Sequence, residues 1–241
     1  MKILNANSDH DFTSRGVELL KASIDRAISK RNHCTLGLSG GSTPRPIYEE
    51  LGKTDIDWEK ISIFLIDERY TLHPSAVSGA GYVPPDDKFS NQGMVKDTLL
   101  KHARIPHSQI YFPETSLNIP DCVQAYTSVL KDLFSEWLPD VVLLGMGKDG
   151  HIASLFPPLS DDAVSDEHFT LHATTDVFDV HDRITLSLNV IGSASEHILI
   201  LKGAEKRRVF EEMMESSEDE RRWPLKRILN SSERVTVLLT N

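Results

Sequence analysis

A histidine and an aspartate stand among glycines at residues 145–157, which read GMGKDGHIASLFP. The apolar run DVVLL at 140–144 predicts a buried strand before them, and glycines after a strand let the backbone approach a ligand. His151 can exchange a proton near neutral pH, and Asp149 lies two residues before it. The stretch therefore predicts a general base with a nearby carboxylate, although a lone histidine can also be purely structural.

The opening letters of this stretch, GMGKDG, also satisfy the G-x-G-x-x-G pattern of dinucleotide-binding turns. Such a turn opens a long helix, whereas Pro157 and Pro158 leave room for barely two helical turns after Gly150. The pattern also requires an acidic residue after a second strand, but the acids of DEHFTLHATT precede its strand-like run. A nicotinamide or flavin site is therefore not favoured.

A second candidate site follows the strand-like run at 35–40. Its residues are small or carry hydroxyl groups: Ser39, Gly40, Gly41, Ser42 and Thr43. Free backbone N–H groups and a helix N-terminus can together hold a phosphate or an oxyanion. Thr43 is the predicted N-cap of that helix, and Pro44 is its predicted first residue. A tight turn that merely requires glycine is the alternative interpretation.

Charged residues at the ends of other predicted strands could complete an anion site. They are Asp67, Glu68, Arg69, Arg183, Lys206 and Arg207. Guanidinium and ammonium groups could clamp a phosphate. Charges directly after an apolar run are also common on ordinary solvated surfaces, so both interpretations stay open.

Alternating strand-like and helix-like runs must hold these residues in place. The strand-like runs lie at 35–40, 61–67, 109–112, 140–145, 183–188, 197–203 and 235–240. The helix-like runs lie at 16–31, 44–51, 91–102, 121–137 and 204–214. Most strand-like runs are apolar on both faces, as in a parallel sheet that helices cover on both sides. The predicted fold is α/β, a three-layer α/β/α sandwich with a mostly parallel sheet, in a single domain spanning 1–241.

Two segments fall outside this alternation. Residues 71–87, TLHPSAVSGAGYVPPDD, are rich in proline, glycine and serine and predict a long loop, which in a compact domain is often functional. We expect this loop to be mobile without ligand and to be able to order over a bound one. Residues 215–222, ESSEDERR, predict a solvated surface turn.

The composition limits the classes of protein and of partner. The 241 residues include 26 basic and 36 acidic side chains, and the formal charge of -10 argues against a nucleic-acid or anionic-membrane surface. Any anionic ligand must therefore meet a local cationic pocket. Cys34 and Cys122 have neither disulfide-framework nor metal-site spacing, which favours a reducing, cytoplasmic compartment. The sequence suggests neither a targeting segment nor a membrane span.

Together these motifs resemble the 6-phosphogluconolactonase family. The matching stretches, in the order that the family has them, are SGGSTP (39–44), DER (67–69), SN (90–91), GMGKDGHIASLFP (145–157), RITLSL (183–188) and KGAEKRRVF. The resemblance implies a modified Rossmann-like α/β/α fold, shared with glucosamine-6-phosphate deaminase. It also implies hydrolysis of 6-phosphoglucono-δ-lactone, a phosphosugar lactone of the oxidative pentose phosphate pathway, without a cofactor or a metal.

The resemblance further implies which residues bind the substrate. Arg69, Arg183 and Lys206 would anchor the phosphate and the sugar. The other expected contacts are Ser39, Gly40, Gly41, Ser42, Thr43, Asn91 and Gly147.

Two features depart from the family pattern. TLHPSAVSGAGY at 71–82 separates DER from the V-P and S-N that usually follow it closely, and DVHD stands where prolines are common.

Lactone hydrolysis needs a base for water, a site for the oxyanion and a proton for the departing ring oxygen. His151 can serve the first and the last of these steps. Asp149 or Asp67 could orient its imidazole, and backbone N–H groups of Gly40 and Gly41 could receive the oxyanion. Which residue does which is left open by the sequence.

Two other functions are compatible with the same motifs. A glucosamine-6-phosphate deaminase has a related loop, resembling D-G-H-I-A-F-N-E-P, whose glutamate aligns with Phe156. Because a phenylalanine cannot exchange a proton, hydrolysis is favoured over deamination. A catalytically silent sugar-phosphate sensor would keep the phosphate anchors but would have no use for Asp149 and His151.

Overall fold

Seven parallel strands form the main sheet of the computed structural model, in which residues 1–70, 89–232 and 234–240 are described. Within these residues the strands are β1 (Lys2–Asn5), β2 (Cys34–Leu38), β3 (Ile61–Leu65), β4 (Asp67–Tyr70), β5 (Ile110–Tyr111), β6 (Val141–Leu144), β7 (Thr170–Thr174), β8 (Asp182–Leu186), β9 (Glu196–Lys202) and β10 (Val235–Thr240). The main sheet has the order β1-β10-β9-β6-β2-β3-β5, and each neighbouring pair is parallel. The predicted parallel sheet is confirmed.

Helices cover both faces of the main sheet. In the described residues they are α1 (Asp9–Arg31), α2 (Arg45–Gly52), α3 (Asn91–Asp97), α4 (Ile119–Leu133), α5 (Asp161–Val164), α6 (Leu188–Gly192), α7 (Ala204–Glu215) and α8 (Leu225–Ser231). Because strand side chains alternate, Val142 and Leu144 of β6 pack with α4 and α7, whereas Val141 and Leu143 pack with α1 and α2. This layering confirms the three-layer α/β/α sandwich. None of the helices in the described residues has the length and apolarity that a bilayer span requires.

A small antiparallel sheet, absent from the sequence prediction, carries the charged DER motif. Its order is β4-β8-β7, so the strand predicted at 183–188 belongs here rather than to the parallel sheet. In the register of β4 and β8, Arg69 lies opposite Arg183. β4 is short and charged and shows no apolar alternation, which explains why its sequence does not predict a strand.

The predicted start of α2 is wrong. The helix begins at Arg45, Pro44 occupies the cap position, and no side chain, Thr43 included, caps it by a hydrogen bond. Pro44 and Pro46 lack N–H groups, so this helix end presents fewer backbone donors that need a cap.

Several elements of the structure are missing from the sequence prediction. β1 and β7 are short and partly exposed, and they lack the two-sided apolar run by which the other strands are recognised. The long loop predicted at 71–87 lies outside the described residues, so its mobility and its ordering over a ligand stay predictions.

An ion-pair network ties α1 to the start of β9. Glu196 accepts hydrogen bonds from Arg26 at 2.7 and 2.9 Å, from Ser23 Oγ at 2.6 Å and from Arg234 at 2.9 Å. Burial alone would raise the pKa of Glu196, but the hydrogen bonds from Arg26, Ser23 and Arg234 outweigh it and lower the pKa to about 2. The network therefore favours the folded state while the carboxylate is ionised.

We expect Glu196→Gln to lower the free energy of unfolding by about 1–2 kcal/mol at pH 7, because charge-assisted hydrogen bonds are lost. The folded-state pKa lies below the unfolded value of about 4.3, so the wild-type advantage should be complete above that value. It should disappear as the pH falls from there to about 2. Urea unfolding at several pH values measures this difference.

The matched control is Glu18→Gln, because Glu18 is exposed on α1, the helix that the network ties to β9. It should change the free energy of unfolding by less than about 0.5 kcal/mol at any of these pH values. A Glu196→Gln deficit that persists unchanged at pH 2 would mean that packing, and not charge, is the contribution of Glu196.

Candidate active site

A cleft of about 320 Å³ opens at the carboxyl ends of β2, β6 and β9. The predicted site residues that line it are Ser39, Gly40, Gly41, Asp67, Arg69, Gly147, His151 and Lys206. Ser42, Thr43 and Asn91 do not line it. Asp149 is hydrogen-bonded to His151, and Arg183 lies opposite Arg69, so each adjoins a lining residue. Parallel α/β sheets bind ligands at this edge, so the predicted residues converge where a ligand is expected.

A larger cleft of about 640 Å³ lies at the amino ends of β6, β9 and β10. Its carboxylates already have partners, because Glu196 is held as described and Asp140 accepts from the Arg31 side chain and from the backbone N–H of Thr35. Its lining residues include no histidine. We therefore place the candidate active site in the smaller cleft.

His151 and Asp149 form a hydrogen-bonded pair. The Nδ1 atom of His151 lies 2.5 Å from Oδ1 of Asp149. Burial alone would raise the pKa of Asp149, but the hydrogen bond from His151 outweighs it and holds the pKa below its usual value. An ionised carboxylate only accepts, so Nδ1 carries the proton and Nε2 is left as an acceptor. The pair has the chemistry of an oriented base.

Asp67 does not contact the imidazole. It is buried, and its Oδ2 accepts a hydrogen bond from Ser154 Oγ at 2.7 Å. The sequence left open whether Asp149 or Asp67 contacts the imidazole, and Asp149 is the carboxylate that is hydrogen-bonded to His151. Asp67 instead presents a buried carboxylate at the floor of the cleft.

Two glycines allow the tight turn that presents His151. The Gly147 N–H donates to the His151 carbonyl at 2.9 Å, and a Cβ on Gly147 would lie 2.2 Å from the imidazole. Gly150 has φ +91°, and a Cβ there would lie 2.6 Å from the ring of Trp223. The short helix for which Pro157 and Pro158 left room after Gly150 does not form, because the chain turns at Ala153 with φ +49°. The glycines of this loop therefore serve close packing around the histidine.

Arg222 is a residue of this region that sequence reasoning missed. Its Nη1 donates to the backbone carbonyl of Asp149 at 3.0 Å, and its guanidinium stacks on Trp223 at 3.7 Å. The interpretation of 215–222 as a solvated turn is therefore wrong at Arg222, whose hydrogen bond to Asp149 supports the loop that carries His151. The adjacent Trp223 was a signal available in the sequence, because tryptophan is highly buried on average and the residue before it then lies close to the core.

Of the two arginines opposite each other on β4 and β8, Arg183 is buried and Arg69 is half-buried, and neither has a carboxylate partner among the described residues. Arg183 is 6% exposed, and its Nε donates to the carbonyl of Val180 at 3.1 Å. Arg69 donates to the carbonyl of Phe89, and its buried Nε has no partner in the described part of the chain. Burial and the neighbouring Arg69 lower the pKa of Arg183. Such a pair is suited to an anion with several oxygens.

Lys206 and Lys148 line the cleft in addition to Arg69. Lys206 lies in the first turn of α7, after Gly203 at φ +96°. Burial lowers the pKa of Lys206, and the carboxylate of Glu205 acts in the opposite direction. Arg207 points elsewhere, because its Nη2 donates to Asn5 Oδ1 at 2.6 Å. Of these two predicted cations, only Lys206 lines the cleft.

The turn after β2 supplies an unpartnered hydroxyl to the cleft. Ser39 Oγ is buried and has no hydrogen-bond partner among the described residues. Asn91, predicted as a substrate contact, lies behind this turn, and a Cβ on Gly40 would collide with its amide. Asn91 Nδ2 donates to the Asp67 carbonyl at 2.9 Å. Asn91 therefore joins the Ser39 turn to β4 rather than lining the cleft.

Glu68 has a structural role on the other face of β4. Its carboxylate accepts from the backbone N–H groups of Asn91 and Gln92, each at 2.7 Å, at the start of α3. Burial raises the pKa of Glu68 to about 7, although these hydrogen bonds oppose the increase. In the DER motif, Asp67 and Arg69 therefore line the cleft, whereas Glu68 binds the start of α3.

Comparison with known proteins gives matches over nearly the whole chain. The family described as glucosamine-6-phosphate isomerases/6-phosphogluconolactonase matches residues 7–237. A probable 6-phosphogluconolactonase of Dictyostelium discoideum is 36% identical over 91% of this chain and 90% of its own length. The 6-phosphogluconolactonase of Nostoc sp. is 34% identical over 93% of this chain and 90% of its own length. The solved 6-phosphogluconolactonase from Plasmodium vivax superposes with a TM-score of 0.84 at 27% identity, covering 99% of this chain and 90% of that one.

The cationic cleft predicts that inorganic phosphate binds the protein and raises its melting temperature, because a ligand that binds only the folded state stabilises it. Lys206→Met should weaken the apparent phosphate affinity by about tenfold, since one charge-assisted contact is lost. Differential scanning fluorimetry across a phosphate titration, with ionic strength held constant by chloride, measures both effects.

Arg208→Met is the matched control, because Arg208 is exposed on the same helix and its loss changes the net charge equally. The control should bind phosphate as the wild type does. Equal weakening in both variants would show that phosphate responds to overall charge and not to the cleft.

Proposed function

The chain belongs to the glucosamine-6-phosphate isomerase/6-phosphogluconolactonase family, and we propose that it hydrolyses 6-phospho-D-glucono-1,5-lactone to 6-phosphogluconate. One observation carries the proposal: a His–Asp pair and a cluster of cations meet in one cleft. The reaction belongs to the oxidative pentose phosphate pathway. We place it in the cytoplasm, in keeping with two buried cysteines that are both free.

The substrate phosphate binds first and sets the position of the lactone. Arg69 and Lys206 line the cleft, and Arg183 lies opposite Arg69. Arginine can meet two phosphate oxygens at once, whereas lysine acts as a point charge. Binding energy at the phosphate is thereby used to fix the lactone carbonyl near His151.

His151 then activates water. The Nε2 atom accepts a proton from water as the oxygen attacks the lactone carbonyl carbon, and the ionised Asp149 stabilises the imidazolium that forms. Asp149 also holds the imidazole in the tautomer that leaves Nε2 free. Positioned proton transfer of this kind contributes about 10²–10⁴ in rate, which is ample for an activated ester.

The tetrahedral intermediate collapses by breaking the bond between the carbonyl carbon and the ring oxygen. Backbone N–H groups of Gly40 and Gly41, and the free hydroxyl of Ser39, are the donors available for the oxyanion. The imidazolium of His151 returns its proton to the departing ring oxygen. The open-chain product then carries a carboxylate in addition to its phosphate.

Deamination of glucosamine 6-phosphate is the alternative within the family. That reaction requires an acid beside the histidine, at the position of Phe156. Here the Phe156 ring packs on the His151 ring with centroids 4.8 Å apart, and it has no proton to exchange. This contact favours hydrolysis.

A sugar-phosphate sensor without turnover is the alternative outside catalysis. It would need the cations of the cleft but not an ionised Asp149 held 2.5 Å from His151. The pair is the feature that favours an enzyme, because perturbed carboxyl groups beside a histidine in a cleft are typical of catalytic sites.

His151→Asn should fold normally and lose lactonase activity by about 10²-fold or more, because an amide cannot take the proton from water. The assay follows acid release from freshly generated 6-phosphogluconolactone, corrected for spontaneous hydrolysis, without metal or nucleotide. Circular dichroism and the melting temperature check the fold of the variant.

The wild-type protein should release no ammonia from glucosamine 6-phosphate. A folded His151→Asn variant with wild-type turnover would remove the proposed base. Ammonia release by the wild type would establish the deaminase alternative, and phosphosugar binding without any turnover would establish the sensor.

Arg183→Ala and Lys206→Ala should each reduce kcat/KM for the phosphorylated lactone by about 10- to 100-fold, mainly through KM. Each loses a charge-assisted contact of about 1.5–3 kcal/mol. Gluconolactone without the phosphate is the internal control, and its hydrolysis should change little. An equal loss on both substrates would show that these cations support the fold and not the phosphate.

A further inference from the structure

Phe178 is an aromatic side chain of the cleft to which the reaction described above assigns no role. It lies in the loop between β7 and β8, a hairpin of the small sheet. Its ring, the imidazole of His151 and the ring of Phe156 form a triangle with centroid separations of 5.4, 4.8 and 5.9 Å. Of the two phenylalanines, Phe178 is the one that lines the cleft.

The hairpin loop is anchored so that Phe178 is directed toward His151. The Thr175 N–H donates to the His181 carbonyl at 3.0 Å and closes the loop. Val180 is buried, and its carbonyl accepts from Arg183. Val177, by contrast, is 67% exposed. The loop therefore presents one aromatic ring to the cleft and one aliphatic side chain to solvent.

The hydrogen bond to Asp149 fixes only part of the orientation of His151. It sets the position of Nδ1, but a single hydrogen bond leaves the imidazole free to tilt about the line that joins the two atoms. The Phe178 ring meets the imidazole nearly edge to face, at an interplanar angle of 77°, and the Phe156 ring meets it at 58°. Two rings packed against the imidazole restrict that tilt.

We propose that Phe178 is a positioning residue that holds the His151 imidazole with Nε2 directed into the cleft. The proposal rests on the proposed lactonase function for its kinetic test and on geometry alone for its spectroscopic one. Phe178 also lies 6.0 Å from the Arg183 guanidinium. Support of the phosphate site through Arg183 is therefore the competing role that the test must separate.

Phe178→Ala should lower kcat by about tenfold and leave KM nearly unchanged, because the imidazole is misoriented while the phosphate contacts persist. The loss should be equal on phosphorylated and non-phosphorylated gluconolactone, since both need the same base. Phe178→Tyr should retain most of the activity, and Phe178→Leu should fall between Tyr and Ala. Val177→Ala, in the same loop, should match the wild type.

Nuclear magnetic resonance of ¹⁵N-labelled histidine gives a measurement that needs no turnover. The imidazole signals of His151, assigned by their loss in His151→Asn, should shift or broaden in Phe178→Ala and should be retained in Phe178→Tyr. If Phe178→Ala does not fold, Phe178→Leu takes its place in both measurements.

A loss confined to the phosphorylated substrate, with a raised KM, would overturn the proposal in favour of support for Arg183. Wild-type kcat together with unchanged His151 signals in Phe178→Ala would also overturn it. A wild-type protein without lactonase activity would refute the proposed function instead, and the His151 signals alone would then decide the role of Phe178.

Discussion

The site depends on a placement that is unfavourable by itself, with two arginine side chains opposite each other across β4 and β8. Like charges directly opposite in an antiparallel pair are destabilising, and burial of Arg183 adds to the cost. Asp67 and Glu68 lie close enough to offset part of the repulsion. Both carboxylates, however, are bound elsewhere, Asp67 to Ser154 and Glu68 to the start of α3. In the proposed reaction, the substrate phosphate, with two negative charges, supplies the remaining counter-charge.

His151 and the two opposed arginines belong to different sheets, and hydrogen bonds join the two sheets. His151 follows β6 of the main sheet, whereas the two arginines stand on the small sheet. The Leu186 N–H donates to the Ile66 carbonyl at 2.9 Å, and Ser154 beside the histidine loop bonds to Asp67 of β4. In the proposed reaction, a substrate that reaches from the arginines to His151 must therefore match the separation at which these hydrogen bonds hold the two sheets.

The apolar runs predicted six of the seven described strands of the main sheet and its layers, because two-sided burial leaves a strong pattern such as that of Val141 to Leu144. The small sheet could not be predicted in the same way, since three of the four residues of β4 are charged and its pairing depends on a distant strand. His151, Asp149, Asp67 and Lys206 were found because strand ends and residue chemistry indicate them. Long-range packing decided the rest, as with Arg222, which reaches Asp149 from a segment that reads locally as solvated.

The strand order has a consequence for how the chain folds. Among the described residues β1 pairs only with β10, and Lys2 lies opposite Thr236. During synthesis the earliest strand must therefore wait for the latest one, and such non-local parallel pairing is slow. Until β10 emerges from the ribosome, the apolar β9 is left as an open edge of the sheet. An apolar strand with one unpaired edge is a site where two nascent chains can associate, and pairing with β10 closes it.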